Sequence, residues 1–139
     1  MIVVDTNVIA YFWIPGSYTQ DAERVLQTDP EWKVPLLWKS ELRNVLINYI
    51  RHELLTLDVA LQMMSDAESH LKEHEFSVAS SDVLKLSSQS KCTAYDCEFV
   101  ALAEDLQVPL ITTDKEVLSE FPSVALSMSD YIDTQKLRG

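Results

Sequence analysis

Met1-Ile2-Val3-Val4-Asp5-Thr6-Asn7 is a short apolar run that stops at three residues favouring turns and helix caps over strands. Asp5 is therefore expected at the carboxyl end of a buried strand. Val108-Pro109-Leu110-Ile111-Thr112 repeats the pattern, ends at Thr113-Asp114, and is followed by a helix-like segment from Lys115 to Phe121. Asp114 is expected at a second strand's carboxyl end. Between these strands helical and extended patterns alternate, the order that builds a parallel sheet with helices on both faces.

In such a sheet each crossover helix runs against the strands, so helix starts share an edge with strand ends. Glu41 opens a helix beginning near Lys39, and Asp96 opens one beginning near Ala94. Asp5, Glu41, Asp96 and Asp114 are thus expected to meet on the edge where open α/β sheets do their chemistry. Two like charges about 4 Å apart repel by roughly 4 kcal/mol at an effective dielectric near 20. Helix N-termini offset only about 0.3 to 1 kcal/mol each. Unless some of the acids protonate, a cation is required. An all-oxygen cluster without neighbouring Cys or His suits Mg²⁺ or Mn²⁺ better than zinc or copper. The chemistry that suits such a cluster is phosphodiester cleavage by metal-activated water.

Each acid also has a plainer reading. Asp5 can begin an Asx-turn, Asp114 can cap the helix behind it, and Glu41 can merely favour a helix dipole. Thr93-Ala94-Tyr95-Asp96 and Thr113-Asp114-Lys115-Glu116 both have the form of capping boxes. Independent caps, however, need not fall on one edge.

Val3-Val4-Asp5-Thr6-Asn7-Val8-Ile9, Ser40-Glu41-Leu42 at a helix start, and the block from Tyr95-Asp96 through Glu104 to Val108-Pro109-Leu110-Ile111-Thr112-Thr113-Asp114 resemble the PIN-domain family. The resemblance is to its VapC-type toxins and spans nearly the whole chain, with the block from 95 to 114 its most specific part. It implies a metal-dependent endoribonuclease with Asp5, Glu41, Asp96 and Asp114 as its acids and Asn7 and Thr112 as supporting polar groups. It also implies an antitoxin partner that blocks the site. The layout alone matches over residues 10 to 38 and 55 to 90, so substrate and partner choice do not carry over. On this reading Asp5, Asp96 and Asp114 hold Mg²⁺ or Mn²⁺, and Glu41 completes the cage or orients the nucleophilic water. Thr112 would fix the direction of a ligand carboxylate by a hydrogen bond.

Length and composition set further bounds. A chain of 139 residues is expected to be a single domain, 1–139. Its two glycines, Gly16 and Gly139, leave no room for a P-loop or a dinucleotide fingerprint. No 18-residue apolar run or basic leader is present, so a cytoplasmic protein without a membrane span is expected. Cys92 and Cys97 form no disulfide framework and are expected to stay reduced.

Eleven basic against twenty-two acidic side chains give a net charge of −11, the wrong sign for a protein that approaches a polyanion. Lys39 and Arg43, spaced i and i+4 beside Glu41, and Lys115 beside Asp114 are the candidates to touch phosphate; a solvated face of ion pairs is the plainer account. An acidic surface also suits a small basic partner, whose Arg-bearing segment could dock against the carboxylates. A homodimer is the expected assembly.

Helices are expected over Gln20 to Gln27, from Lys39 with the stripe Leu42, Val45, Leu46, Tyr49, Ile50, over Val59 to Glu73, over Ser81 to Ser88, and from Ala94 with the stripe Phe99, Leu102, Ala103, Leu106. Trp32 to Leu36, Phe76 to Val78 and the edge segment Ser123 to Leu126 read as strands, while the tail after Ser129 carries no clear pattern. His70 and His74 stand one turn apart, but Leu71 follows the first where a metalloprotease needs Glu, so a solvated helix face is the better account. Tyr11-Phe12-Trp13-Ile14 is apolar on all sides, which fits either an interface or burial beneath the following loop.

The fold expected is an α/β three-layer sandwich with a short, mainly parallel sheet flanked by helices. The expected function is metal-dependent hydrolysis of RNA. The alternative is a non-catalytic acidic module that holds a basic peptide or a structural cation. A phosphoacceptor domain ranks lower, because Thr113, Asp114 and Lys115 are adjacent rather than spread over separate strands.

Overall fold

Ile2, Val3 and Val4 form β1 (Ile2–Val4), a strand buried on both faces at the centre of the sheet. A strand covered on both sides needs apolar residues without alternation, which is why the opening run shows no period of two. The computed structural model of the chain describes residues 1–138.

After β1 come α1 (Thr6–Trp13), α2 (Thr19–Thr28), β2 (Trp32–Pro35), α3 (Trp38–Arg51), α4 (Leu57–Leu71) and β3 (Glu75–Phe76). The second half holds α5 (Ser80–Ser88), α6 (Ala94–Leu106), β4 (Leu110–Ile111), α7 (Lys115–Glu120), β5 (Ala125–Leu126) and α8 (Met128–Arg138). The strands run in the order β3-β2-β1-β4-β5, and all four ladders are parallel. From β1 the chain builds outward through β2 on one side and returns to β4 on the other, so the order reverses between β1 and β4. Such a reversal opens a crevice beyond the strands' carboxyl ends.

The α6 helix lies across β1, β2 and β4, with α5 packed behind it. On that account its apolar surface is wider than the stripe of one core-facing side: Cys97, Phe99, Val100, Ala101, Leu102 and Ala103 are all buried. The α1, α3 and α4 helices pack together, α4 reaches β2, and α2 joins α1 to α8. The result is the three-layer α/β sandwich with a parallel sheet that the sequence indicates.

Several local readings change. Residues 6–13 form a helix, α1, where the sequence showed only caps followed by an aromatic run. Its residues Val8, Ile9 and Ala10, with Ile14 behind it, are buried, while Tyr11, Phe12 and Trp13 are half-buried. The Phe12 ring meets Trp32 edge-on at 5.7 Å, and Trp13 meets His70 at 6.5 Å, so the run serves as packing between α1, β2 and α4. His70 is accordingly no part of a solvated face. It is half-buried between Trp13 and Trp32, and that burial, with His74 nearby, holds its imidazole below the usual histidine range. His74 lies beyond the end of α4 and pairs with Lys33 Nζ through Nδ1 at 3.1 Å. The tail becomes α8, which buries Tyr131 and Ile132. The strand expected over 108–112 is shorter, because the β1 register reaches only Leu110 and Ile111 and Pro109 has no N–H to donate.

Candidate active site

Two backbone bonds fix the floor of the crevice. Asp5 N–H donates to the Ile111 carbonyl at 3.1 Å, and Thr112 N–H donates to the Leu126 carbonyl at 3.0 Å, so the ends of β1, β4 and β5 are level. Asp5 then caps α1: its Oδ1 accepts the Val8 N–H at 3.0 Å. Its Oδ2 accepts the hydroxyl of Thr112, a residue only 1% exposed. The Thr112 oxygen in turn accepts the Asp114 N–H at 3.0 Å, and Asp114 caps α7 by accepting Glu116 and Val117 N–H groups at 2.9 and 3.1 Å. One buried hydroxyl thus links the two strand-end acids.

The other two acids come from helix starts. Glu41 sits in the first turn of α3, where its Oε1 accepts the Thr6 hydroxyl at 2.7 Å. Asp96 closes a capping box with Thr93: Asp96 N–H donates to Thr93 Oγ1 at 3.1 Å, and Thr93 N–H donates to Asp96 Oδ2 at 3.3 Å. Capping and convergence are therefore not alternatives here. Caps hold three of the four acids at the edge where strands end and helices begin.

Asp5, Glu41, Asp96 and Asp114 line one cavity of about 350 Å³, together with Asn7, Thr112, Thr6, Ser40, Asn44 and Tyr95 and with the apolar Leu37, Val45 and Phe99. Among the described residues no lysine or arginine lines it. Burial pushes the Asp5 carboxyl up to about 6; bonds from Thr112, Val8 and Thr113 oppose this, and the charge of Asp114 adds to it. Burial also raises Glu41 above its ordinary value, aided by Asp96 and Glu98 and opposed by the Thr6 hydroxyl. Electrostatically the acids fall into two groups, Asp5 with Asp114 and Glu41 with Asp96.

As the side chains stand, no three His, Cys, Asp or Glu groups among the described residues come close enough to grasp one ion. The donor set nevertheless fits a hard divalent cation: every polar lining group offers oxygen, and the acids lack positive charge. The two thiols do not compete as ligands or nucleophiles. Burial lifts Cys92 to about 11 and raises Cys97 as well, so both stay protonated.

Lys39, Arg43 and Lys115, expected near phosphate, do not line the cavity. Lys39 and Arg43 each lie two residues from Glu41, which on a helix of about 3.6 residues per turn puts them on roughly the opposite side. The face toward the cavity carries Leu37, Ser40, Glu41, Asn44 and Val45 instead. Lys39 turns to Glu68 and Glu75, at 3.8 and 3.9 Å, while Arg43 and Lys115 point into solvent. Thr6, Ser40, Asn44 and Tyr95 were not read as site residues. The signal was available: Ser40 and Asn44 flank Glu41 on one helix face, and Thr6 and Tyr95 adjoin Asp5 and Asp96.

A parallel α/β sheet with an acid-lined crevice at its strand reversal defines a broad class of ligand-binding and catalytic proteins. Within that class the sequence profile of the PIN domain matches residues 2–124, and the chain belongs to the PIN domain family. It is 30% identical over 126 residues to Ribonuclease VapC3 of Pyrobaculum aerophilum, covering 88% of this chain and 96% of that protein. The fold is similar to the crystal structure of PAE2754 from Pyrobaculum aerophilum, with a TM-score of 0.77 at 17% identity over 98% of this chain and 96% of that one. It is also similar to a chain of a toxin-antitoxin complex from Klebsiella pneumoniae, with a TM-score of 0.66 at 14% identity over 92% and 98% of the two chains. FitAcB from Neisseria gonorrhoeae gives 0.66 at 16% identity over 93% and 99%. Among the described residues no helix is long and apolar enough to cross a membrane.

Proposed function

We propose that this chain is a PIN-domain endoribonuclease that hydrolyses RNA phosphodiester bonds with a divalent metal, Mg²⁺ or Mn²⁺, and serves as the toxin of a toxin-antitoxin pair. The observation that carries this reading is the cavity lined by four carboxylates with no cationic side chain of the described residues among them. Its likeness to a ribonuclease over most of both chains supports the substrate class.

Asp5, Asp96 and Asp114 would hold the metal, which when bound supplies Lewis acidity toward water and phosphate and neutralises developing charge. Asp5 keeps its direction through Thr112, and Asp114 through the same hydroxyl and the start of α7. Glu41 is held at one oxygen by Thr6, leaving the other free to orient water or take a proton. Asn7, exposed at the cavity wall, adds a neutral polar contact. The described chain acts as one domain and works in the cytoplasm as a homodimer. Its partner is a small basic antitoxin, whose arginine would enter the acidic cavity and meet carboxylates bidentately.

The test is cleavage of unstructured RNA by purified protein with Mn²⁺ or Mg²⁺. Cleavage that disappears with EDTA and in Asp96→Asn supports the reading. Metal-independent cleavage, or Mn²⁺ binding of equal strength to wild type and Asp96→Asn in calorimetry, overturns it. A protein that cuts no RNA yet binds a basic peptide at this cavity would be the acidic binding module instead.

A further inference from the structure

We infer that Tyr95 is a stacking platform for an unpaired base beside the scissile phosphate; this rests on the nuclease reading and deepens it. Tyr95 lies in the first turn of α6, directly before Asp96, and lines the same cavity as the four acids. Although it is a cavity residue its side chain is 63% exposed, whereas Phe99, one turn further along α6, is 4% exposed. The capping box between Thr93 and Asp96 spans Tyr95 and fixes the backbone that carries it. An aromatic ring on a rigid backbone at the mouth of a polar cavity presents an open π-face at small entropic cost.

Charge makes such a face necessary. The chain carries a net charge of −11, Lys39 is engaged with Glu68 and Glu75, and no basic residue among those described lines the cavity. Phosphate attraction by side chains therefore supplies little of the affinity, and stacking, which ignores the sign of the surface, can supply it. Bases within a duplex have both faces covered by their neighbours, so only an unpaired base can lie on the ring. Because Tyr95 and Asp96 are adjacent, the stacked base belongs to a nucleotide next to the phosphate that Asp96 faces.

The experiment uses the full chain with Mn²⁺ and a short unstructured RNA oligonucleotide of mixed sequence, its perfectly paired duplex, and single abasic replacements along the strand. Tyr95→Ala is expected to raise KM roughly 5- to 150-fold, the worth of one stacked base, with Tyr95→Phe and Tyr95→Trp close to wild type and Tyr95→Leu not rescued. One abasic position should cost the wild type as much as Tyr95→Ala costs, and cost Tyr95→Ala nothing more. The duplex should be a poor substrate for wild type. If wild type cuts the strand and Tyr95→Ala stays within about two-fold of it, the inference fails while the nuclease reading stands. A fall in kcat alone, not restored by Phe, would mean that Tyr95 only props Asp96 and would also overturn it. If wild type cuts no RNA, the nuclease reading itself falls.

Discussion

The cavity beyond β1 and β4 and the one beside α4 both gather carboxylates, but only the second provides them with cations. Beside α4, Glu68 and Glu75 share a cavity with Lys39 and Lys72; Lys39 lies within 4.0 Å of both acids, and Glu75 also accepts the Trp38 indole N–H at 2.8 Å. At the sheet edge four acids line one cavity whose other described polar groups are hydroxyls and amides, and burial drives Asp5 up to about 6. The contrast separates charges settled within the fold from charges left for something outside it. Settled pairs near the surface contribute little, typically about 0 to 1 kcal/mol. Unsettled ones lower stability until a cation arrives, and a protein keeps them only where they are used.

The strongest way to break this comparison is Asp5→Asn. Cleavage should fall roughly 10³-fold or more, since on the proposed reading a ligand charge is lost, while Asn still caps α1; initial rates with Mn²⁺ and a thermal melt separate the two effects. A variant that keeps its rate would place the chemistry elsewhere. Next comes Thr112→Val, which removes the hydroxyl joining Asp5 to Asp114 without changing the strand. A loss of roughly 10- to 100-fold in metal affinity or activity is expected, read by calorimetry and rate together.

The third effect lies in stability. The folded pKa of Asp5, about 6, exceeds its ordinary value of 3.8, so the stability this group lends is complete below about pH 4 and lost as pH rises through about 6. In metal-free protein the unfolding free energy should drop by on the order of 2 kcal/mol over that window on account of Asp5. Glu41 adds a term of the same sign. Denaturant titrations with EDTA, wild type minus Asp5→Asn, isolate the Asp5 part; a difference that does not vary with pH would contradict it. Mn²⁺ at neutral pH should restore the lost stability in wild type alone.

The smallest effect is expected in the settled cluster. Lys39→Ala should cost no more than about 1 kcal/mol and leave the cleavage rate within about two-fold. A collapse of activity there would show that the two cavities are coupled after all.

What the sequence reveals divides along the same physical line. Strand ends were legible because Val3-Val4-Asp5 and Ile111-Thr112-Thr113-Asp114 pass abruptly from apolar residues to cap formers. Once parallel strands were granted, Glu41 and Asp96 followed, since helix starts share the strand-end edge. The i, i+4 spacing puts Lys39 and Arg43 on one face of α3, but Glu41, midway between them, falls on the other face, which is the one toward the cavity. The α1 helix was hidden because its aromatic residues pack against Trp32 and His70, partners far off in the chain. No local pattern reports a contact of that kind, and the same holds for the hydroxyl of Thr6 meeting Glu41.

The bond from Thr112 to Asp5 joins residues 107 positions apart. Without β4 the segment that carries Asp5, Glu41 and Asp96 would keep only the Val8 contact on Asp5, and would lack both the Thr112 hydroxyl and Asp114. The acid cluster is therefore a property of the assembled sheet and of no single segment of it, since its members are brought level only when β4 has paired with β1.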